Sequence, residues 1–215
     1  MYSFAPLNTI VFFMKNILVI GAGLSSSYLI KYLLAQAVTY NWQITVADSN
    51  VESAKSKIAN HPNARAIALN ATDNAQVEQL VSANDLIISL LPATMHIHVA
   101  RICVRLKKHL ITASYVSPEM QSLHKDALNN DVLLLNECGL DPGIDHLSAM
   151  KMIDEVKARG GQITSFKSFC GGLVAPEFDD NPWNYKFTWK PRNVVVAGQA
   201  TAKYLAHGEL KFIPA

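Results

Sequence analysis

At 215 residues, with 50% hydrophobic and 17% charged side chains, the chain is long enough to bury a full core and reads as globular and soluble. Its formal net charge of +2 is spread along the sequence without a basic cluster, which leaves no electrostatic footprint for nucleic acid or a membrane surface. Three cysteines, Cys103, Cys138 and Cys170, form neither a C-x-x-C pair nor an even set, so reduced thiols in the cytoplasm and no zinc site are expected.

Residues 1–13 read as an upstream extension before a natural start at Met14; there is no basic n-region of a signal peptide and no stretch of membrane-spanning length. An apolar strand over 17–20 then runs into Gly21, Ala22, Gly23, Leu24 and Ser25 and a helix over 24–36. Gly21 permits the tight turn, Gly23 lets backbone approach a pyrophosphate, and the helix start presents N–H groups to the anion. Ser26 stands where the third glycine of G-x-G-x-x-G would be. A second strand over 43–47 ends in Asp48, at the distance where an acidic residue accepts hydrogen bonds from ribose hydroxyls, so the pattern implies dinucleotide binding.

Onward, strands are expected over 65–69, 85–91, 109–112 and 132–135, and helices over 51–60, 75–82, 94–107, 117–129 and 143–159. This alternation predicts a parallel sheet covered on both faces. Gly21 to Ser25, Asp48 with Ser49, Asn70 with Ala71, Leu91 with Pro92, Ser114 with Tyr115, and Gly139 to Asp141 all follow strand ends, and therefore fall on one ligand-binding edge. His96 and His98, two apart, read as surface or helix-cap residues rather than metal ligands.

The densest stretch is 136–146, which places two glycines, three carboxylates and a histidine between the strand over 132–135 and the next helix. That helix is expected to begin at Pro142 or Gly143, with Asp141 as its cap. Beyond about residue 160 the pattern changes. A strand is expected over 163–169, then a loop to about 193 with three prolines, Trp183, Tyr185, Phe187 and Trp189, whose rings serve either a satellite core or ligand contact. A helix is expected over 194–205, and a strand starts at Leu210 with no partner in view as the chain stops, which reads as truncation. The division expected is 14–142 for a nucleotide-binding domain and 143–215 for the beginning of a substrate domain.

Residues 88–92, 112–118, 136–146 and 169–173, with Asn181-Pro182 and 185–187, resemble saccharopine dehydrogenase of the glutamate-forming type, also called saccharopine reductase, and the resemblance covers about 16–205. It implies a doubly wound parallel Rossmann sheet followed by the start of an α+β substrate domain. It also implies a pyridine-nucleotide oxidoreductase of lysine metabolism, acting on a secondary amine: an aldehyde condenses with the amino group of glutamate and the imine is reduced by hydride, or saccharopine is oxidised in reverse to glutamate and 2-aminoadipate semialdehyde. By this resemblance Ala22, Gly23, Leu24 and Ser25 meet the pyrophosphate, Asp48, Ser49 and Asn50 the adenosine ribose, and Asn70, Ala71 and Leu91 the adenine and nucleotide body. Ser114, Tyr115, Leu140, Asp141 and Pro142 fall at the nicotinamide or the amino-acid substrate.

Imine formation and hydrolysis move protons, for which Asp141, Tyr115 and Cys170 are the candidates, with the general acid left open among them. Family members that use the phosphorylated coenzyme tend to carry a basic residue after the second strand. This chain has Asp48-Ser49 there, so NAD is expected over NADP, with NADP still possible. A homo-oligomer is expected. The alternatives are a carboxyspermidine-type dehydrogenase with the same carbon–nitrogen chemistry and a non-catalytic NAD-sensing module.

Overall fold

A computed structural model of the chain describes residues 14–169, 171, 174–187, 191, 192, 195 and 201–214. Six strands, β1 (Lys15–Ile20), β2 (Trp42–Asp48), β3 (Ala64–Ala68), β4 (Leu86–Ser89), β5 (His109–Thr112) and β6 (Leu134–Leu135), form one parallel sheet in the order β3-β2-β1-β4-β5-β6. This is the doubly wound order, in which the strand order reverses between β1 and β4 and opens a crevice at the strand ends.

The intervening helices are α1 (Ser27–Ala37), α2 (Val51–Ile58), α3 (Asn74–Ser82), α4 (His96–Arg105), α5 (Pro118–Ser122), α6 (His124–Asn129) and α7 (Ile144–Ala158). In β1 every residue from Ile17 onward is buried because alternate side chains feed two cores. Leu18 and Ile20 join Val77, Val81, Val99 and Leu110 beneath α3 and α4. Ile17 and Val19 join Ile30, Leu34, Ile44 and Ala54 beneath α1 and α2. Each large aliphatic side chain so buried contributes roughly 1.5–3 kcal/mol. Asn50 and Asp73 cap α2 and α3 through two backbone N–H groups each, and Ser117 caps α5 through Met120 N–H with Pro118 in the first turn.

The expected alternation through residue 158 is present, with local differences. The first helix opens with a 3-10 turn, Leu24–Ser26, and the expected helix over 117–129 is divided at Leu123 into α5 and α6. Helix α7 begins at Ile144, with Gly143 rather than Asp141 at the cap position; Asp145 Oδ1 accepts from Gly143 N–H, and Asp141 is drawn elsewhere by Tyr115.

Contacts divide the chain into two compact units, one ending at Ser168 and one beginning at Phe169. No strand forms over 163–169: the alternation there finds no ladder partner among the described residues. The expected helix over 194–205 is replaced at its end by β7 (Ala202–Ala206), which pairs antiparallel with β8 (Glu209–Ile213), and its residues 194 and 196–200 lie outside the described set. The strand beginning near Leu210 therefore has a partner after all. His207 and Gly208, both at positive φ, make the two-residue turn whose twist suits a hairpin. Tyr185 and Phe187 pack edge to face with ring centroids 5.4 Å apart, and Trp189 lies outside the described residues.

Candidate active site

Strand register levels the site. Ile20 lies beside Ala47 and Ser89, and Ser89 beside Thr112, so the loops leaving β1, β2, β4 and β5 start from one row. Gly21 N–H donates to Ala47 O and Leu90 N–H to Ile20 O, which draws the glycine turn against β2 and β4. At Gly21, with φ +108°, a Cβ would stand 3.0 Å from Leu90 O, so only glycine fits the turn. Gly23 has ordinary φ and nothing within 4 Å of where a Cβ would be: space is left there.

Above this row lies a cleft of about 380 Å³, lined by Gly21 and Gly23, Asp48 and Ser49, Asn70, Ala71 and Thr72, and Leu91, Pro92 and Met95. Seven of the expected nucleotide-contacting residues thus meet in one cavity. Of the others, Ala22 N–H is turned onto Asp48, Leu24 and Ser25 lie in the 3-10 turn, and Asn50 caps α2. Pro92, placed on this edge with Leu91 by the sequence, lines the same cleft, as do Thr72 and Met95, whose signal was adjacency to the strand-end motifs already marked.

Asp48 has a different posture from the one expected. Its Oδ2 accepts from Ala22 N–H at 2.6 Å and its Oδ1 from Asn50 N–H at 2.8 Å, so both oxygens fasten the glycine loop to the start of α2. Ser26, in place of the third glycine, is fully buried and its hydroxyl donates to Gly23 O at 2.8 Å.

A second group lies beyond β5. Glu137 N–H donates to Ser114 O and Cys138 N–H to Thr112 O, while Glu137 Oε1 accepts from Val116 N–H, so the segment after β6 is laid along the segment after β5. This brings Tyr115 and Asp141 together across 26 positions, the phenol donating to Asp141 Oδ1 at 2.5 Å. The hydrogen bond to Asp141, with lesser help from desolvation and from the charges of Asp141, Asp145 and Glu137, pushes the Tyr115 hydroxyl up to about 12. Leu140 is exposed beside Asp141, whereas Pro142 and Gly143 are buried.

Asp145 Oδ1 also accepts from His146 Nδ1 at 2.8 Å. Partial desolvation works against ionisation of Asp145, but these hydrogen bonds outweigh it and hold the carboxyl below its ordinary value. Acceptor atoms of Asp141, Asp145 and His146 all lie within 4.8 Å of one another, a grouping that the sequence reading, which expected no metal ligands, did not single out. Cys170 lies outside the described residues.

His96 is not at the surface. It is buried at the first position of α4, between Ser89 Oγ and Ser114 Oγ, whereas His98 is exposed. The signal for it was Ser89, the one polar residue in the apolar strand β4, which when buried requires a partner. Among the described residues no helix is long and apolar enough to cross a membrane.

Comparison with known proteins bears directly on this arrangement. The family model described as the saccharopine dehydrogenase NADP binding domain matches residues 17–135, and that of the saccharopine dehydrogenase C-terminal domain matches 139–215. The NADP(+), L-glutamate-forming saccharopine dehydrogenase of Schizosaccharomyces pombe is 43% identical over 197 residues, covering 92% of this chain and 43% of the relative. The mitochondrial alpha-aminoadipic semialdehyde synthase of Mus musculus is 36% identical over 197 residues, 91% of this chain and 21% of that protein. Among solved structures, apo saccharopine dehydrogenase (L-Glu forming) from Saccharomyces cerevisiae superposes with a TM-score of 0.78 at 38% identity, over 93% of this chain and 44% of the other. The chain thus spans less than half the length of these relatives. With both family domains matched in order across nearly every described element, the chain belongs to the saccharopine dehydrogenase family.

Proposed function

We propose that this chain carries the coenzyme site and part of the substrate site of an oxidoreductase that interconverts saccharopine with glutamate and 2-aminoadipate semialdehyde in lysine metabolism. The observation that carries this reading is the shared edge. A cleft of about 380 Å³ over the glycine turn stands on the same strand-end row as the Tyr115–Asp141 pair. We assign 14–142 to nucleotide binding and the residues from 143 to the beginning of the substrate domain.

The coenzyme is a nicotinamide nucleotide, and we favour NADP over the NAD expected from Asp48. The S. pombe and S. cerevisiae relatives carry NADP(+) in their names, and the Asp48 carboxylate is engaged by the Ala22 and Asn50 amides. Ser49 and Thr72 line the same cleft, their hydroxyls donating to Asp48 Oδ1 and Asn70 Oδ1. When bound, the coenzyme supplies or accepts the hydride; the protein's residues orient the substrate and move protons. Tyr115, neutral at pH 7, holds Asp141 by donation, and Asp141 is the group suited to take a proton during imine formation and hydrolysis. Cys170 completes the proposed catalytic set. A cytoplasmic homo-oligomer belongs to the same proposal.

Fluorescence titration of the chain with NADPH and NADH tests the coenzyme: tighter binding of NADPH is expected, and tighter NADH binding returns the discriminating role to Asp48. Saccharopine-dependent appearance of NADPH in the full-length protein tests the reaction. Turnover of a carboxylated polyamine in its place would favour the carboxyspermidine-type alternative.

A further inference from the structure

Two serines and a histidine form a hydrogen-bonded chain beside the cleft, buried at Ser89 and His96 and half-buried at Ser114, and no proton transfer proposed above uses the histidine. Nδ1 of His96 lies 2.9 Å from Ser89 Oγ and Nε2 lies 2.8 Å from Ser114 Oγ, joining the last residue of β4, the first of α4 and the loop after β5. The ring is 3% exposed, and burial pushes its pKa down to about 4, so at pH 7 it is neutral and carries a proton on one nitrogen only.

Ser89 decides which nitrogen. Its hydroxyl is fully buried and, among the described residues, bonds only to His96. With the proton on Nδ1, Ser89 would accept it and be left with its own hydrogen facing no acceptor, a costlier arrangement than an unfilled lone pair. Ser89 therefore donates to Nδ1, the ring proton sits on Nε2, and Nε2–H donates to Ser114. Ser114 Oγ has no other partner among the described residues, so its own O–H is left for a ligand.

We propose that His96 is a positioning residue that fixes the polarity of Ser114, making its hydroxyl a donor to an acceptor oxygen of the bound ligand. This rests on the placement of Ser114 at the nicotinamide or substrate in the function proposed above. The acceptor is either the carboxamide oxygen of the nicotinamide or a carboxylate oxygen of the amino acid.

Nitrogen-15 spectra of the imidazoles in the ligand-free 215-residue chain read the tautomer directly. A neutral His96 protonated on Nε2 around neutral pH is expected; a proton on Nδ1, or a charged ring, overturns the proposal. Binding then tests the consequence. His96→Asn, whose amide is too short to reach Ser114, should weaken the ligand roughly fivefold, and His96→Gln, which places an N–H near the Nε2 position, should restore most of it. In a Ser114→Ala background His96→Asn should cost nothing further; a cost that persists means that His96 acts only through the fold, and overturns the proposal.

The titrant separates the two acceptors. Loss of NADPH affinity in Ser114→Ala identifies the carboxamide, loss of glutamate affinity in the NADP-loaded protein identifies the carboxylate, and loss of neither overturns the donor role. A chain that binds no nicotinamide nucleotide refutes the function proposed above, while the imidazole spectrum decides the tautomer independently.

Discussion

Around the ends of β1 and β2 the sheet edge is made of backbone and open space, whereas beyond β5 it is made of titratable side chains. In the first region Gly21 N–H is bonded to Ala47 O, the amides of Ala22 and Asn50 converge on Asp48, and Gly23 faces emptiness. In the second, Tyr115 rests on Asp141, Glu137 on Val116 N–H, and Asp145 on His146. A phosphate-bearing ligand is received by room and oriented dipoles, but proton transfer needs groups that titrate and partners that fix them. The glycines differ in the same sense: Gly23 leaves space for a ligand, and Gly143 leaves space for the protein itself.

That contrast predicts opposite outcomes for two similar substitutions. Gly143→Ala puts a Cβ 2.2 Å from Gly139 O at a residue with φ +148°, and should cost about 3 kcal/mol or more of stability, read by denaturant unfolding. An unchanged midpoint would show that the loop accommodates a side chain. Gly23→Val should melt normally yet lose on the order of a hundredfold in NADPH affinity, because the branched side chain enters only ligand space. Intact affinity in that variant would place the pyrophosphate elsewhere.

His96, between the two regions, predicts acid sensitivity. Its folded pKa of about 4 lies below the ordinary 6.5, so the unfolded chain takes up a proton first; stability is full above about pH 6.5 and declines as pH falls towards 4, by about 3 kcal/mol. Replacement by Asn should flatten that part of the profile. The smallest effect belongs to the exposed pair: Asp141→Asn should bring the Tyr115 titration down from about 12 towards 10, seen in the ultraviolet spectrum, with stability changed by well under about 1 kcal/mol. A Tyr115 that titrates unchanged would mean the pair is not formed in solution.

The backbone-built region was legible because its determinants are local. A glycine turn follows an apolar strand, Asp48 closes the next one, and buried β1 cannot be anything but a two-faced strand. The side-chain region was legible in its membership but not in its pairing: Tyr115 and Asp141 were both marked, yet only the hydrogen bonds laying 137–138 along 112–116 bring them together, and Asp141 read as a helix cap in their absence. His96 was misplaced for the same reason, since its partners lie 7 and 18 positions away and only the register of β4 and β5 aligns them. Past residue 160, alternation without a partner was read as a strand at 163–169, and the His207-Gly208 turn that pairs β7 with β8 was passed over.

The segment carrying Leu140, Asp141 and Pro142 is fastened at its base by three backbone hydrogen bonds: Gly139 N–H to Pro142 O, Ile144 N–H to Gly139 O, and Asp145 N–H to Leu140 O. Ordering a residue's backbone costs roughly 1–2 kcal/mol, and here that entropy is surrendered when the chain folds rather than when a ligand arrives. The same fastening joins Asp141 to the first turn of α7, so the helix and the carboxylate move as one lever. Whatever tilts α7 re-aims Asp141, which ties the geometry of the proton acceptor to the packing of a fifteen-residue helix whose far end lies well away from it.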